Sequence, residues 1–441
     1  MSNGHELGTV PGEKPATGNR SPAFPERPSK VRFGILALTF FLFFIMYMDR
    51  ACMGLVAPNM MREFGISKIT LGWSVSAFVW AYGIFQIPGG WLADRFGPRR
   101  VLSGVLVWWS CFAVATGLAA GAASLAVIRF FFGMGEAAAF PAGSRSIVRW
   151  LPHTERGFGQ GFQHAGSRLG AAVAPMMLVV VLRYTSWRFP FYAFGFVGLS
   201  LALLWFYYYR DYPIEHDGVN EAERKLLPAY RPKTSSPVPW KAILTHRGVW
   251  NLCALYFCYG WSLWMYLTWF PTYLTEARHL TTARMGLAAT IPLLGATISN
   301  VAGGGLSDFL ARRWHNLRLG RVSVSAAGFL IAAIGLITGV LLTNAWYGLA
   351  CMAIALAGLE LTVAVSWAMT IDLGHDFSGS VSALMNTCGA IGGAVSSVAV
   401  GYVASSSGWI PPFLLSSFVC LLAIVFAFRI DPTQSIVAAE P

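Results

Sequence analysis

Four ionisable side chains lie within two apolar stretches of the sequence. Asp49 and Arg50 lie in one stretch, and Arg129 and Glu136 lie in another. An ionisable residue at the centre of a membrane helix costs about 2.5–3.5 kcal/mol, so it needs a partner or a function. Burial favours the protonated form of a carboxylate, whereas arginine stays charged and presents a planar fork to an anion. These residue types predict proton-coupled binding of an anion. The alternative is a static ion pair that holds helices together.

The spacing of Arg129 and Glu136 bears on this choice. Seven residues of α-helix place both side chains on one face, about 10.5 Å apart. That distance is too long for a direct bridge, and it leaves room for a ligand or for a partner from the helix of Asp49 and Arg50. An arginine released when its acid takes up a proton can bind an anion, which would couple the two events. Asp49 lies closer to a helix end, where a structural role is equally compatible with the sequence.

Further polar and aromatic residues in apolar stretches are candidate contacts for a substrate. Tyr82 and Gln86 share one helix face, because they are four residues apart. Arg168 and Glu360 are two more intramembrane charges. They indicate a dianionic substrate or an extra proton site if both face a central cavity, and a structural pair if they bond to each other. The full set of these candidates is Tyr47, Tyr82, Gln86, His164, Arg168, Ser366, Trp367 and Asn386.

A short charged loop separates two of the apolar stretches. Residues 90–100 read Gly-Trp-Leu-Ala-Asp-Arg-Phe-Gly-Pro-Arg-Arg, so Asp94 stands beside Arg95, Arg99 and Arg100. An acid among bases in a tight turn can form charge-assisted hydrogen bonds across one face of a helix bundle. We expect it to act as a latch that holds one access state. The alternative is simple anchoring of helix ends.

The composition identifies the elements that must position these residues. Of 441 residues, 55% are hydrophobic and only 12% are charged, against about 25% charged residues in soluble domains. Apolar runs of about 20 residues, enough to cross a bilayer, recur along the chain. We predict an all-α membrane protein whose twelve transmembrane helices start near Phe33, Leu71, Val101, Leu125, Gly159, Phe191, Trp250, Met285, Val322, Trp346, Gly379 and Pro412.

The net charge of +12 reflects membrane topology rather than nucleic-acid binding. With the N-terminus inside, most Lys and Arg fall in cytoplasmic segments, and the outer segments hold only Arg62, Lys68, Arg183, Arg188, Arg278 and Arg284. This distribution follows the positive-inside rule and predicts that both termini are cytoplasmic. The lipid bilayer is therefore the expected partner surface.

The chain divides into two similar halves. The interval from Gly72 to Asp94 recurs from Gly286 to Asp308, where a degraded copy of the charged loop follows. We predict a disordered cytoplasmic tail over residues 1–30, a six-helix half over 31–210 and a cytoplasmic linker over 211–246. A second six-helix half follows over 247–430, and a cytoplasmic tail over 431–441. One chain thus contains a whole pathway, and a monomer suffices.

The charged loop, with its pattern G-x3-D-R-x-G-x-R-R, resembles the signature loop of the major facilitator superfamily. Three further motifs are similar to its anion:cation symporter family: Tyr-x-Asp-Arg at residues 47–50, Arg…Gly-x-Gly-Glu…Pro at 129–141, and TWFPTYL at 268–274. The resemblance implies two parallel six-helix halves and alternating access. It also implies proton sites at Asp49 and Glu136, and anion or gating contacts at Arg50 and Arg129. Arg168 and Glu360 depart from the family pattern.

The predicted function is proton-coupled symport of a small organic anion, such as a sugar acid, a hexuronate or an aromatic carboxylate. Alternatives are a sodium- or phosphate-coupled anion carrier of the same family, or a metabolite or drug exporter. Residues 170–175 do not fit the drug-antiporter motif. We expect no enzyme activity, cofactor or metal site, since neither a nucleophile motif nor metal-ligand spacing occurs in the sequence. The expected location is the cell membrane, the inner one in a bacterium.

Overall fold

The computed structural model describes residues 27–227, 237–279 and 282–436, and within these ranges the chain is helical without strands. The first half contains α1 (Val31–Phe64), α2 (Lys68–Phe96), α3 (Pro98–Gly117), α4 (Ala122–Glu136), α5 (Ala139–Trp150), α6 (Arg156–Tyr184) and α7 (Phe189–Tyr208). The linker carries α8 (Glu221–Leu226) and α9 (Trp240–Thr245). The second half contains α10 (Arg247–Glu276), α11 (Thr282–Arg313), α12 (Leu317–Leu341), α13 (Ala345–Gly374), α14 (Ser378–Ser407) and α15 (Ile410–Arg429).

Counting α4 and α5 as one interrupted span, each half has six long helices, which confirms the predicted fold class. Within the described ranges, eight helical stretches are long and apolar enough to cross a membrane, and one of them, Ala345–Ser407, includes both α13 and α14. The other long helices, α2, α10 and α11, interrupt their apolar residues with glycine and polar or aromatic side chains. The chain is an integral membrane protein.

The two halves repeat one packing scheme. In the first half α1 packs on α6, α2 on α4 and α3 on α7; in the second, α10 packs on α14, α11 on α13 and α12 on α15. Close approach depends on glycine at the crossings within each half. A methyl group on Gly170 would overlap the carbonyl oxygen of Phe44, and one on Gly392 would overlap that of Phe257. Small residues at helix crossings are a general way to pack membrane helices.

The halves meet mainly where α2 packs on α14 and α6 packs on α11. We call the end of the bundle that carries Arg95, Arg99 and Arg100 the basic face. At this face Gly90 lies against the carbonyl of Gly379, and Gly304 lies against that of Gly157, so tightly that neither has room for a methyl group. The basic face is therefore closed by contact between the two halves.

The linker is tied to the start of α1. The buried carboxylate of Glu223 accepts hydrogen bonds from the Ser29 hydroxyl (2.6 Å) and from the backbone amides of Val31 and Arg32 (3.2 Å each). Glu223 thus satisfies amides that a helix N-terminus leaves unpaired. The expectations for residues 1–26, 228–236 and 437–441 lie outside the described residues.

Candidate functional site

The first charged pair joins α1 to α4. The Arg50 Nε donates to the Glu136 carboxylate at 2.6 Å, and a second guanidinium nitrogen lies 2.5 Å from the same oxygen. The Glu136 side chain is fully buried, whereas 20% of the Arg50 side chain is exposed. The guanidinium carbon lies 4.8, 4.9 and 4.6 Å from the ring centres of Tyr47, Phe78 and Tyr82. The spacing of Arg129 and Glu136 left two options open, a ligand or a partner from the first helix. The structure shows the partner, which is Arg50.

Local packing places Glu136 at this position. It is the last residue of α4, immediately before the interruption that separates α4 from α5. Gly133 approaches the backbone of Phe78, and Gly135 approaches the ring of Trp108, so that no side chain fits at either position. These contacts bring α4 against α2 and α3 and leave Glu136 facing α1.

Asp49 and Arg129 form a second, fully buried level between the same two helices. The indole of Trp109 donates a hydrogen bond to Asp49 at 2.9 Å. Arg129 donates to the Thr116 hydroxyl at 3.3 Å, and its guanidinium lies 4.7 Å from the ring centre of Phe132. The two charges interact electrostatically without a direct hydrogen bond. One oxygen of Asp49 and the Nε of Arg129 have no hydrogen-bond partner among the residues that the structure describes. This level differs from the first because neither charged group is exposed.

Arg168 and Glu360, which depart from the family pattern, bond to each other across the two halves, which is the arrangement that the sequence predicts for a structural pair. The Arg168 Nε donates to Glu360 at 3.0 Å, and another nitrogen of its guanidinium donates to the Tyr259 hydroxyl at 2.8 Å. The Tyr259 hydroxyl in turn donates to Glu360 at 3.2 Å, and the Asn300 amide donates to the same carboxylate at 2.8 Å. The Arg168 side chain is 11% exposed and that of Glu360 only 1%.

Asn300 was not predicted as a site residue. Its sequence signal was a single amide in an apolar stretch, which does not by itself indicate what it contacts.

Three predicted residues meet where α2 crosses α14. The Asn386 amide donates to the Gln86 side-chain oxygen at 3.0 Å and lies 3.5 Å from the Tyr82 hydroxyl. Gln86 is buried, and Tyr82 and Asn386 are partly exposed. Since the two helices belong to different halves, this polar contact joins the halves beside the Arg50 pair.

His164 and Trp367 lie in an aromatic cluster. The His164 ring stacks on Phe140 with ring centres 4.8 Å apart, and it lies 5.0 Å from the ring of Trp367. Trp367 donates its indole N–H to the Tyr256 hydroxyl at 2.8 Å. Ser366 is placed differently, because its buried hydroxyl donates to the carbonyl of Thr362 one turn back in its own helix.

The charged loop bridges the halves through its acid. Asp94 accepts hydrogen bonds from the backbone amides of Gly379 (2.9 Å) and Ser380 (2.7 Å) in the first turn of α14. Arg145 approaches the same carboxylate at 3.9 Å. An anion at the N-terminus of a helix is stabilised by the unpaired amides and by the helix dipole.

The arginines of the loop make contacts of their own. Arg95 packs on the Trp91 ring, Arg99 donates to the carbonyl of Phe206 at 3.0 Å, and Arg100 is exposed. Hence, of the four charged side chains of the loop, Asp94 is the one that the structure shows hydrogen-bonded to the other half. Arg145 of α5, which was not predicted as a site residue, is its nearby cation.

The degraded copy of the loop, in the second half, makes the equivalent contact with the first half. Asp308 of the second half accepts a hydrogen bond from the backbone amide of Phe158 (2.8 Å) in the first turn of α6. The buried guanidinium of Arg321 bonds to Asp308 at 2.7 Å and to Asp372 at 2.9 Å. Each half therefore caps a helix of the other at the basic face. The sequence repeat identified Asp308. It did not identify Arg321 and Asp372, which lie in helices outside the repeated interval.

Known proteins share the sequence pattern and the fold of this chain. A family model described as Major Facilitator Superfamily matches residues 39–397 and 283–440.

The chain belongs to the major facilitator superfamily.

It is 34% identical over 413 residues to a probable sulfoacetate transporter of Cupriavidus necator, covering 92% of this chain and 95% of that relative. It is 30% identical over 418 residues to the D-galactonate transporter of Escherichia coli, covering 91% and 96%. The crystal structure of the transporter FucP in the outward conformation has the same fold, with a TM-score of 0.73 at 17% identity over 91% of this chain and 100% of that one. This facilitator is thus a membrane transporter rather than an enzyme, as the sequence predicted.

Proposed function

We propose that this facilitator is a proton-coupled symporter that imports a small organic anion by alternating access. The pair of Arg50 and Glu136 carries the proposal, because it sets a partly exposed guanidinium in front of a fully buried carboxylate. A guanidinium is the side chain best suited to bidentate recognition of a carboxylate or sulfonate. Two relatives of this chain are named as carriers of sulfoacetate and D-galactonate, which are both small organic anions. Sugar acids, hexuronates and aromatic carboxylates remain the substrate classes to test.

Coupling follows from the charge balance of this pair. Protonation of Glu136 removes its negative charge and leaves the Arg50 guanidinium without an ionic partner. An unpaired charge away from water is unfavourable, so an incoming anion is stabilised there once the proton is bound. Conversely, an anion on Arg50 makes the protonated form of Glu136 more favourable. Proton and anion therefore bind together and leave together.

Asp49 and Arg129 are proposed as a second proton station behind the first. Both interact electrostatically with Glu136, so a proton on one carboxylate changes the field at the other. Within the described part of the chain, one Asp49 oxygen has no hydrogen-bond partner, and we propose that this oxygen accepts the proton. Arg129, which is buried between Thr116 and Phe132, balances Asp49 when that carboxylate is charged. We therefore assign Arg129 to gating and charge balance and Arg50 to the anion.

Alternating access requires that the basic face opens. The contacts of Asp94 with α14 and of Asp308 with α6 must break in that step, since each joins one half to the other. In the closed arrangement the anion reaches Arg50 from the opposite face. The excess of arginine in the loops of the basic face supports a cytoplasmic orientation of that face. Import then runs from the opposite face to the cytoplasm.

Uptake by purified protein in liposomes tests the proposal. The vesicles carry an inside-alkaline pH gradient and are offered labelled sugar acids, hexuronates, sulfonated acids, aromatic carboxylates and phosphate. We expect at least one organic anion to accumulate above its equilibrium level and to be lost when a protonophore is added. Accumulation that requires a sodium gradient, or that occurs with phosphate alone, would assign the carrier to the alternative class.

A further inference from the structure

The pair of Arg168 and Glu360 repeats the arrangement of Arg50 and Glu136. In both pairs the arginine is the partly exposed member, at 11% and 20% of its side chain, and the acid is buried behind it. In both pairs a tyrosine lies against the guanidinium: Tyr259 through its hydroxyl, and Tyr82 through its ring. The molecule therefore has two guanidinium groups of the same construction, each held by a carboxylate that a proton could neutralise.

Aromatic side chains form a continuous wall between the two arginines. We call this set the aromatic wall; its members in spatial order are Tyr47, Phe140, His164, Trp367, Tyr256 and Tyr259. Tyr47 at one end lies 4.8 Å from the Arg50 guanidinium, measured to its ring centre. Tyr259 at the other end accepts a hydrogen bond from Arg168. Tyr47 also interacts electrostatically with Arg168, so this tyrosine contacts one of the two cations and lies within electrostatic reach of the other.

Glu360 can lose Arg168 without losing its other hydrogen bonds. Tyr259 and Asn300 donate to it from α10 and α11, which belong to the same half as Glu360. Arg168 alone comes from the other half. Arg168 is thus the partner that Glu360 can lose. An anionic group of the substrate can then replace the Glu360 carboxylate as the partner of the Arg168 guanidinium.

From this placement we propose that Arg168 is a second anion-binding point and that the preferred substrate is a small dianion. One anionic group would bind Arg50 and the other Arg168, along the aromatic wall. This inference rests on the proposed function, because it uses the same site. The described site holds three acids and three arginines, namely Asp49, Glu136, Glu360, Arg50, Arg129 and Arg168. A dianion adds two negative charges, and protons on Glu136 and Glu360 restore the balance that a buried site requires.

The test compares substrates that differ by one charge at similar size. Galactarate is compared with D-galactonate, and sulfoacetate with 2-hydroxyethanesulfonate, in uptake by proteoliposomes under a pH gradient. Because Arg168 would form a hydrogen-bonded ion pair with the second anionic group of the substrate, we expect kcat/KM for the dianion to exceed that for the monoanion by about 10- to 100-fold in at least one couple. A wild-type carrier that prefers the monoanion in both couples overturns the dianion proposal while leaving anion symport intact. Failure to take up any organic anion, in these couples and in the wider panel of the preceding uptake experiment, would contradict the proposed function itself.

A double variant tests which residues set this preference. Arg168→Gln with Glu360→Gln removes both charges at once and leaves no unpaired buried ion. We expect the ratio of kcat/KM for dianion over monoanion to fall toward one. An unchanged ratio would show that the pair only joins the halves. If the double variant does not fold, the wild-type comparison of the two couples still decides the substrate class.

Discussion

At the scale of single residues, Arg50 and Arg129 have different surroundings. Arg50 is partly exposed between aromatic rings and holds Glu136 directly. Arg129 is buried and has no direct hydrogen bond to Asp49. A substrate can therefore reach Arg50 more readily than Arg129. The sequence motif named both as anion contacts or gating residues without distinguishing them.

The substitution Arg50→Lys tests the anion assignment. Lysine keeps the charge but lacks the planar fork, so one of two parallel hydrogen bonds to a carboxylate is lost. We expect KM for the transported anion to rise by roughly 10-fold or more, since a hydrogen bond to a charged group contributes about 1.5–3 kcal/mol. The exposed Arg62 near the end of the same helix provides the control Arg62→Lys, which should leave KM near the wild-type value.

The substitution Glu136→Gln tests the proton assignment. Glutamine has the shape of protonated glutamic acid, so the site stays permanently in the form that releases Arg50. We expect accumulation driven by a pH gradient to be lost, while exchange of labelled for unlabelled anion persists and becomes insensitive to pH. Full gradient-driven accumulation by this variant would remove Glu136 from the coupling mechanism. The exposed Glu215 allows Glu215→Gln as a matched control.

The sequence singled out the charged residues of the proposed site, but it did not indicate which of them would pair. Asp49, Arg50, Arg129, Glu136, Arg168 and Glu360 all stood out because charge in an apolar span needs an explanation. Their partners depend on how helices from distant parts of the chain cross. Asn300 and Tyr259 approach Glu360 from two helices, and no spacing in the sequence reports that contact.

At the scale of elements, the two acids of the repeated loops each cap a helix in the opposite half. The charged loop of the first half and its degraded copy were both visible in the sequence, and so were the twelve spans. What the sequence did not indicate was that α14 and α6 present their N-terminal amides to these acids. That contact exists only because the basic face is closed.

The substitution Asp94→Asn should slow turnover without removing binding. It takes away the negative charge that faces the N-terminus of α14, which weakens two charge-assisted hydrogen bonds. We expect the maximal transport rate to fall roughly 10-fold, with KM changed by less than about 3-fold. The measurement is initial uptake over a range of anion concentrations, and Asp308→Asn serves as the equivalent change in the other half. A large rise in KM with an unaltered maximal rate would contradict a latch.

Adjacent glycines on α11 offer a matched test of the closed basic face. A methyl group on Gly304 would overlap the Gly157 carbonyl of α6, whereas one on Gly305 would lie 3.9 Å from its nearest neighbour, the Phe158 ring. Gly304→Ala should therefore separate the halves at this face and change the access equilibrium. We expect a thiol reagent to reach a cysteine introduced at this interface faster in Gly304→Ala. Gly305→Ala should match the parent protein, and equal labelling of both variants would refute the contact.

At the scale of the whole molecule, different features of the sequence indicated membrane residence, the two halves and the proposed link between proton and anion. The apolar spans predicted the membrane, and the repeated loop predicted the halves. The intramembrane acids and bases indicated the residues of the proposed site. The arrangement of those charges into two pairs, each with a partly exposed arginine and joined by an aromatic wall, could not be predicted, because it depends on packing between helices far apart in sequence.

The central claim is that proton and organic anion move together, and one measurement tests it most directly. Proteoliposomes that contain a pH-sensitive dye receive an inward gradient of a transported organic anion, with membrane voltage held near zero by potassium and valinomycin. Symport predicts that the lumen acidifies as the labelled anion enters, and that acidification is absent in Glu136→Gln although that variant still exchanges anion. Entry of the labelled anion into wild-type vesicles with no change in lumen pH would contradict the account.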